Sequence, residues 1–112
     1  MEIRKWDVYL ADLNPRIGTE PGKTRPVVVV QTDLLNNQHP STIICPLTTQ
    51  IHSESNILRV HLSKGEAGLI EKSDIMVDQI RAIDNRRFFK RLGIIGRLSQ
   101  KKLAENIQII LN

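Results

Sequence analysis

The chain is a succession of short apolar stretches separated by polar breaks. Alternation of apolar and polar positions is typical of a strand with one buried face, and a run that is apolar on both faces indicates a strand buried on both sides. The stretch from about Lys5 to Leu13 alternates and predicts a half-buried strand, whereas Pro26–Gln31 predicts a central strand. Further strands are predicted at Thr42–Cys45, Leu58–Leu62, Ile75–Ile83, Phe88–Phe89 and Leu92–Leu98.

The last segment of the chain has a helical period instead. Ser99 is the predicted N-cap, and Leu98 is placed to pack onto Leu103 one turn later. Apolar residues then recur on one helix face at Leu103, Ile107, Ile110 and Leu111. Many short strands and one terminal helix predict a mainly β fold, a small bent sheet or barrel closed by a helix. The length of 112 residues suits a single domain spanning the chain.

Positive charge is concentrated in one part of the sequence. The formal net charge is +4, yet residues 81–102 alone carry eight basic residues and one acid. This asymmetry favours a polyanionic partner, nucleic acid first, although a solvated basic face on an ordinary domain has the same composition.

Several classes of protein are excluded or disfavoured by composition. Cys45 is the single cysteine, so no internal disulfide and no cysteine metal cluster is possible, and a reducing cytoplasm is expected. Its apolar neighbours indicate a core residue rather than a nucleophile. No apolar run approaches the roughly 20 residues of a membrane-spanning helix. No phosphate-binding glycine motif or carboxylate cluster for Mg²⁺ is present, so no metal or other cofactor is expected.

The loop from Gly18 to Pro26 is the first candidate site. It carries Glu20, Lys23 and Arg25, and it runs directly into the central strand. Pro26 disfavours a helical conformation at Arg25, which places this cation at the mouth of a buried strand. A guanidinium matches a phosphate in shape and charge, so Arg25 is the leading catalytic candidate, and Glu20 is expected either to orient it, to accept a proton, or only to be solvated.

Hydroxyl groups at the end of the third strand are the second candidate. Thr48 and Thr49 follow Pro46, where a hydroxyl can bind a phosphate or ribose oxygen or can simply cap a turn. The histidines at positions 39, 52 and 61 have no metal-ligand spacing and no evident partner. RNA carries its own nucleophile, the 2′-hydroxyl, whereas DNA hydrolysis usually enlists metal ions. A basic chain with these residues therefore favours RNA as a substrate.

The motifs of the chain resemble the MazF/PemK-type toxins over nearly its whole length. The resemblance rests on the following stretches, in the order and spacing of that family: Trp6–Pro15, Gly18–Glu20, Lys23–Val30, Asn36–Asn37, Cys45–Thr49, Gly68–Leu69, Ser73–Asp74 and Asp78–Asp84. It implies an SH3-like barrel with a C-terminal helix, usually a homodimer. It also implies the toxin of a type II toxin–antitoxin pair, neutralised by a MazE-like antitoxin.

The activity implied by the resemblance is metal-independent, sequence-selective cleavage of single-stranded RNA. The 2′-hydroxyl attacks, and the products carry a 2′,3′-cyclic phosphate or 3′-phosphate and a 5′-hydroxyl. By position Arg25 and Thr48 match the catalytic arginine and threonine, and Glu20 matches an acidic position implicated in some members. The residues expected to bind RNA are Thr19, Lys23, Thr24, Thr49, Gln50, Gln79, Arg81, Arg86 and Arg87. Sequence preference is expected to depend on the loops at residues 16–23 and 50–56.

Two other functions fit parts of the sequence. A CcdB-like gyrase poison shares the barrel and cleaves nothing, but the Arg25–Pro26 and Pro46–Thr48 motifs disfavour it. A non-catalytic SH3-like domain would bind RNA through the basic segment, with steep salt dependence, and never cut it.

Overall fold

The computed structural model describes residues 1–15, 17–20 and 22–112, which form seven strands and one α-helix. Three 3-10 turns, at Glu66–Gly68, Val77–Gln79 and Asn85–Arg87, lie between the later strands. The regular elements in chain order are β1 (Asp7–Asp12), β2 (Thr24–Val29), β3 (Ser41–Thr48), β4 (Arg59–Leu62), β5 (Ser73–Met76), β6 (Arg81–Asp84), β7 (Phe88–Ile94) and α1 (Arg97–Leu111). Within these residues no helix combines the length and the apolarity needed to cross a bilayer.

The strands form one antiparallel sheet that β3 bends. The sheet runs in the order β4-β5-β3-β2-β1-β7, and β6 pairs with β3 outside this path. Because β3 is long, it pairs with three strands, with β6 near its start, β2 in its middle and β5 at its end. The expected mainly β fold with a C-terminal helix is confirmed, and its barrel-like sheet follows an open path from β4 to β7.

The sheet is buried on both sides around β1 and β2. Val8 and Val28 face each other across the two strands and belong to a core cluster that Leu103 of α1 completes. Tyr9 and Val27, one position along, belong to a second cluster on the other side, and all of these side chains are fully buried. The central strand was predicted correctly. The prediction that β1 is half-buried is wrong. The second cluster covers the strand face that the alternating pattern had indicated to be exposed to solvent.

The single long strand predicted at Ile75–Ile83 is also wrong. β5 ends at Met76, the chain makes the 3-10 turn Val77–Gln79, and β6 starts at Arg81. These two strands pair with opposite ends of β3, so the chain has to step along β3 between them. Apolar residues continue through the turn because Val77 is buried in the core, and periodicity therefore conceals the break.

Helix α1 begins earlier than its sequence signals indicate. Gly96 occupies the N-cap position, and Ser99 lies inside the first turn, where its Oγ donates to Oε2 of Glu66 at 2.6 Å. The same carboxylate oxygen accepts the N–H of Gly96 at 3.0 Å. Leu98 is 87 % exposed and does not pack on the core, so the predicted N-terminal contact with Leu103 is wrong. A carboxylate thirty residues upstream replaces the local cap.

The 3-10 turn Glu66–Gly68 lies against β7 at backbone distance. Gly68 has φ 73°, and a Cβ added there would lie 2.3 Å from the carbonyl oxygen of Leu92. A Cβ on Gly93 would lie 2.7 Å from the carbonyl carbon of Ala67. These two glycines therefore allow the turn and the strand to approach.

Candidate functional site

Arg25 lies near the start of β2 and reaches across to β3. Its Nε donates to the carbonyl oxygen of Gly22 at 3.2 Å, and its Nη1 donates to the carbonyl oxygen of Leu47 at 3.0 Å. The guanidinium is therefore held between its own loop and the residue that precedes Thr48. Arg25 was predicted at the mouth of a strand, and in the structure the neighbouring strand β3 orients its side chain.

Arg25 and Thr48 lie together in the walls of two adjoining grooves of 460 Å³ each. Lys23 and Gln50 line both grooves as well. The first groove is completed by Thr24, Pro26, Leu47, Thr49 and Ser73, and the second by Asn14, Thr19, Glu20, Gly22 and Met76. Two residues that are 23 positions apart in the sequence thus share one polar surface, as the catalytic assignment requires.

Thr48 ends β3 with a half-buried side chain. Its Oγ1 accepts the backbone N–H of Gln50 at 3.2 Å, which is the turn-capping contact foreseen as the alternative to a catalytic role. The hydroxyl nevertheless lines both grooves. A hydroxyl has one donor and two acceptor positions, so accepting one N–H leaves its own hydrogen available for another acceptor.

The β1–β2 loop supplies the remaining charges of the second groove. Glu20 is the only carboxylate among the described residues that line either groove. Lys23 has φ 52°, and its N–H donates to Oδ1 of Asn14 at 2.6 Å, which ties the end of the loop back to its start. Arg16 and Pro21, which the sequence argument included in this loop, lie outside the described residues.

Four of the predicted RNA-binding residues do not line these grooves. Arg86 forms a two-pronged ion pair with Asp84, with both N···O distances 3.0 Å. Arg87 donates through Nη1 to the carbonyl oxygens of Asp12 and Asn14. Gln79 belongs to the 3-10 turn before β6, and Arg81 pairs with Ile44 at the start of that strand. Neither residue lines either groove.

A buried carboxylate that the sequence argument did not single out lies next to the first groove. Asp74 on β5 is fully buried, and its Oδ2 accepts the N–H of His52 at 2.8 Å and Nη1 of Arg59 at 3.0 Å. Its Oδ1 lies 2.6 Å from Nδ1 of His61. Burial raises the pKa of Asp74, but the hydrogen bonds from His52, His61 and Arg59 together outweigh burial and lower it.

Strand register was the missing signal for this cluster. His61 had been judged to lack a partner, because it and Asp74 belong to strands whose pairing the sequence does not state. In the sheet Asp74 stands opposite both Thr48 and His61.

Cys45 is buried as expected, and burial raises its pKa to about 12, which keeps the thiol protonated. Among the described residues no group of three or more His, Cys, Asp or Glu side chains is arranged to hold a metal ion.

The structure is a small bent β-sheet with a C-terminal helix, and two cations and several hydroxyls line its adjoining grooves. The family model described as the PemK-like, MazF-like toxin of type II toxin-antitoxin systems matches residues 4–111. The chain belongs to this family, as the sequence motifs predicted.

Named relatives agree with this assignment. Endoribonuclease EndoA of Bacillus subtilis (strain 168) is 34 % identical over 111 residues, which cover 99 % of this chain and 96 % of the relative. Endoribonuclease MazF of Staphylococcus saprophyticus is 35 % identical over 109 residues, covering 97 % and 91 %. Among solved structures, the MazE-MazF crystal structure (Form-II) from Deinococcus radiodurans has a TM-score of 0.80 at 15 % identity, covering 100 % of this chain and 97 % of that one. At that identity the structural likeness establishes the fold.

Proposed function

We propose that the protein is a toxin that cleaves single-stranded RNA, mRNA in particular, with residues 1–112 acting as one domain. The observation that carries the proposal is that Arg25 and Thr48, from different strands, both line the two adjoining polar grooves. Relatives at 34 % and 35 % identity over nearly the whole chain bear the name endoribonuclease, which supports the same activity here.

The reaction we propose uses the substrate's own nucleophile. The 2′-hydroxyl oxygen of one nucleotide attacks the adjacent phosphorus, and the bond from phosphorus to the 5′-oxygen of the next nucleotide breaks. The products are a 2′,3′-cyclic phosphate, or the 3′-phosphate formed from it by water, and a 5′-hydroxyl. This chemistry needs proton transfer and stabilisation of charge on the phosphoryl oxygens, and it needs no metal ion.

Arg25 is assigned the stabilisation of that charge. A guanidinium carries its N–H donors in a planar fork that matches a phosphate, and the two carbonyl contacts hold this fork in place. Because Nε and Nη1 are fixed by backbone groups, the side chain loses little freedom when it meets a phosphate. Preorganised donors of this kind typically contribute about two to three orders of magnitude in rate.

Thr48 and Glu20 are assigned roles on either side of Arg25. The Thr48 hydroxyl donates to a phosphoryl oxygen while its lone pair accepts the N–H of Gln50. Glu20 accepts the proton of the 2′-hydroxyl, because it is the carboxylate that shares the second groove with Arg25 and Thr48. Protonation of the departing 5′-oxygen is left to water.

RNA binding is assigned chiefly to the groove residues. Lys23 and Arg25 supply positive charge, and neutral donors line the two walls at Thr19, Thr24, Thr49 and Gln50. Gln79, Arg81, Arg86 and Arg87 remain predictions for contacts beyond the grooves, along the path of a longer RNA.

The partners we propose follow from the family. The chain belongs to the toxins of type II toxin-antitoxin systems, and a solved neighbour is a MazE-MazF complex. We infer a MazE-like antitoxin, a homodimeric toxin, and a cytoplasmic location, where mRNA and a neutralising protein are both met.

The proposed function is tested by incubating the purified protein with RNA in EDTA. The wild-type chain should cleave RNA, and Arg25→Ala should lower the rate by about 10²–10³-fold, as for loss of an oxyanion donor. Lys90→Ala, which removes an exposed cation outside both grooves, is the matched control and should retain activity. If the RNA stays intact and DNA supercoiling by gyrase is inhibited, the nuclease hypothesis is wrong and a gyrase poison is indicated.

A further inference from the structure

A row of three residues crosses the sheet beside the groove. Thr48 on β3, Asp74 on β5 and His61 on β4 stand opposite one another in adjacent antiparallel strands. Residues paired in this way project from the same face of a sheet. The buried Asp74 carboxylate is therefore the direct cross-strand neighbour of the proposed catalytic threonine.

The segment that follows Thr48 has little apolar anchoring of its own. Residues 49–54 are all exposed, and Ile51, its only large apolar side chain, is 40 % exposed. Burial of apolar surface is the usual means of fixing a segment, and a segment without it tends to open locally. Yet Thr49 and Gln50 form part of the groove wall.

Polar contacts centred on Asp74 hold this segment instead. Arg59 Nη1 donates to the carbonyl oxygen of Gln50 at 2.9 Å and to Asp74 at 3.0 Å. The N–H of His52 donates to Asp74 at 2.8 Å. His61 bridges Asp74 and the segment's far end, because its Nε2 lies 2.9 Å from the carbonyl oxygen of Ser55. The backbone is thus tied down at positions 50, 52 and 55.

We propose that Asp74, with Arg59 and His61, holds the segment at residues 50–55 and thereby positions Gln50 in the wall of the RNA groove, and so determines which nucleotide is accepted beside the scissile phosphate. This inference rests on the proposed endoribonuclease function. Asp74 is a positioning residue, since it is fully buried and acts through Arg59, His61 and the backbone. Its role is specificity and binding, and the charge stabilisation at Arg25 is separate from it.

The network is centred on a charged carboxylate. Both Asp74 oxygens receive contacts, two of them at Oδ2 and one at Oδ1. An asparagine of the same shape carries no negative charge, so its hydrogen bonds to Arg59 and to the N–H of His52 are weaker, and its NH₂ group replaces one acceptor oxygen. Replacing a hydrogen bond to a charged group by a neutral one typically costs enough to shift an equilibrium about tenfold.

The test compares Asp74→Asn with Asp7→Asn. Asp7 is a buried carboxylate paired with Arg91, away from the groove residues, and it serves as a control for general loss of stability. In Asp74→Asn we expect the KM for the preferred RNA to rise about tenfold, the preference over other sequences to fall, and the single-turnover rate at saturating RNA to change much less. In Asp7→Asn the cleavage pattern and KM should match the wild type. Equal effects of the two variants on KM and pattern would overturn the proposal.

Amide hydrogen exchange tests the anchoring independently of activity. Asp74→Asn should lose protection at His52 and its neighbours, whereas Asp7→Asn should retain it. Arg59→Met keeps Asp74 and serves if Asp74→Asn does not fold; it removes Nη1, the atom that contacts both Gln50 and Asp74, so exchange should also rise there. Unchanged protection in these variants refutes the positioning role. Absence of RNA cleavage by the wild type would instead refute the proposed function. Hydrogen exchange would still show whether Asp74 anchors the segment at residues 50–55.

Discussion

Arg25 takes its orientation from backbone carbonyls on two elements, at Gly22 and Leu47. The sequence was sufficient to place it, because Pro26 restricts its conformation and the strand begins beside it. It was not sufficient to supply the Leu47 contact, which depends on the pairing of β2 with β3. Local stereochemistry is therefore readable from the sequence, and contacts between strands are not.

The roles of Thr48 and the neighbouring Thr49 can be distinguished by mutation. Thr48→Ala should lower the RNA cleavage rate by about 10²-fold, because a donor to the phosphoryl oxygen is lost. Thr49→Ala changes the adjacent exposed threonine of the first groove and should affect binding more than the rate. Single-turnover kinetics distinguish the two effects. Equal loss of rate in both variants would contradict the assignment of the hydroxyl to Thr48.

The buried Asp74 should make the free energy of unfolding depend on pH in the acidic range. Its pKa is lowered in the folded state, so its stabilising contribution is complete above the unfolded value of about 3.9 and disappears as pH falls through the folded value. Urea unfolding at pH 7 and near pH 3 should show a smaller pH-dependent loss in Asp74→Asn than in the wild type. An equal loss in both proteins would show that Asp74 does not contribute this dependence.

Asp84 offers an instructive contrast with Asp74. Its pKa is lowered to about 2 by hydrogen bonds from Arg86, but this ion pair lies in solvent, where screening and side-chain entropy offset its attraction. Asp84→Asn should therefore reduce the pH dependence of unfolding less than Asp74→Asn does. Solvent screening makes the contribution of an exposed ion pair to stability smaller than that of a buried one.

At the scale of elements, periodicity located β1 and β2, each of which keeps the same partners along most of its length. β3 differs, since three strands share it and its partner changes from β6 near its start to β5 at its end. The break between β5 and β6 follows from that sharing, and no residue pattern within Ile75–Ile83 records it. The start of α1 was predicted too late, at Ser99, for a related reason. The N–H of Gly96 at the start of the helix is bound by Glu66, which is distant in the sequence.

Gly93 tests the close approach of β7 to the turn at Glu66–Gly68. Gly93→Ala should lower the free energy of unfolding by about 1–3 kcal/mol, because its Cβ would meet backbone atoms that cannot move aside easily. Gly96→Ala is the matched control, since a Cβ there meets only a side-chain oxygen at 3.4 Å. Urea denaturation measures both, and a Gly93→Ala variant as stable as Gly96→Ala would contradict the steric account.

At the scale of the whole molecule, three of the eight basic residues in the segment at residues 81–102 make contacts within the chain. Arg86 pairs with Asp84, Arg91 pairs with Asp7, and Arg87 binds the carbonyls of the β1–β2 loop. The cations that line the grooves, Lys23 and Arg25, lie in the remainder of the chain. The uneven charge distribution therefore favoured a polyanionic ligand, in agreement with the proposed function, whereas the position of the basic residues in the sequence did not locate the groove.

The central claim is that the groove of Arg25 and Thr48 cleaves RNA through the substrate's 2′-hydroxyl. The most direct measurement uses a short RNA with one cleavage site, in EDTA, in which a single nucleotide carries 2′-deoxyribose. With the deoxy substitution immediately 5′ of the scissile phosphate, cleavage at that bond should cease, and with the substitution at the nucleotide 3′ of that phosphate the bond should still be cut to leave a 5′-hydroxyl. Cleavage of the first substrate at the rate of unmodified RNA would contradict the account.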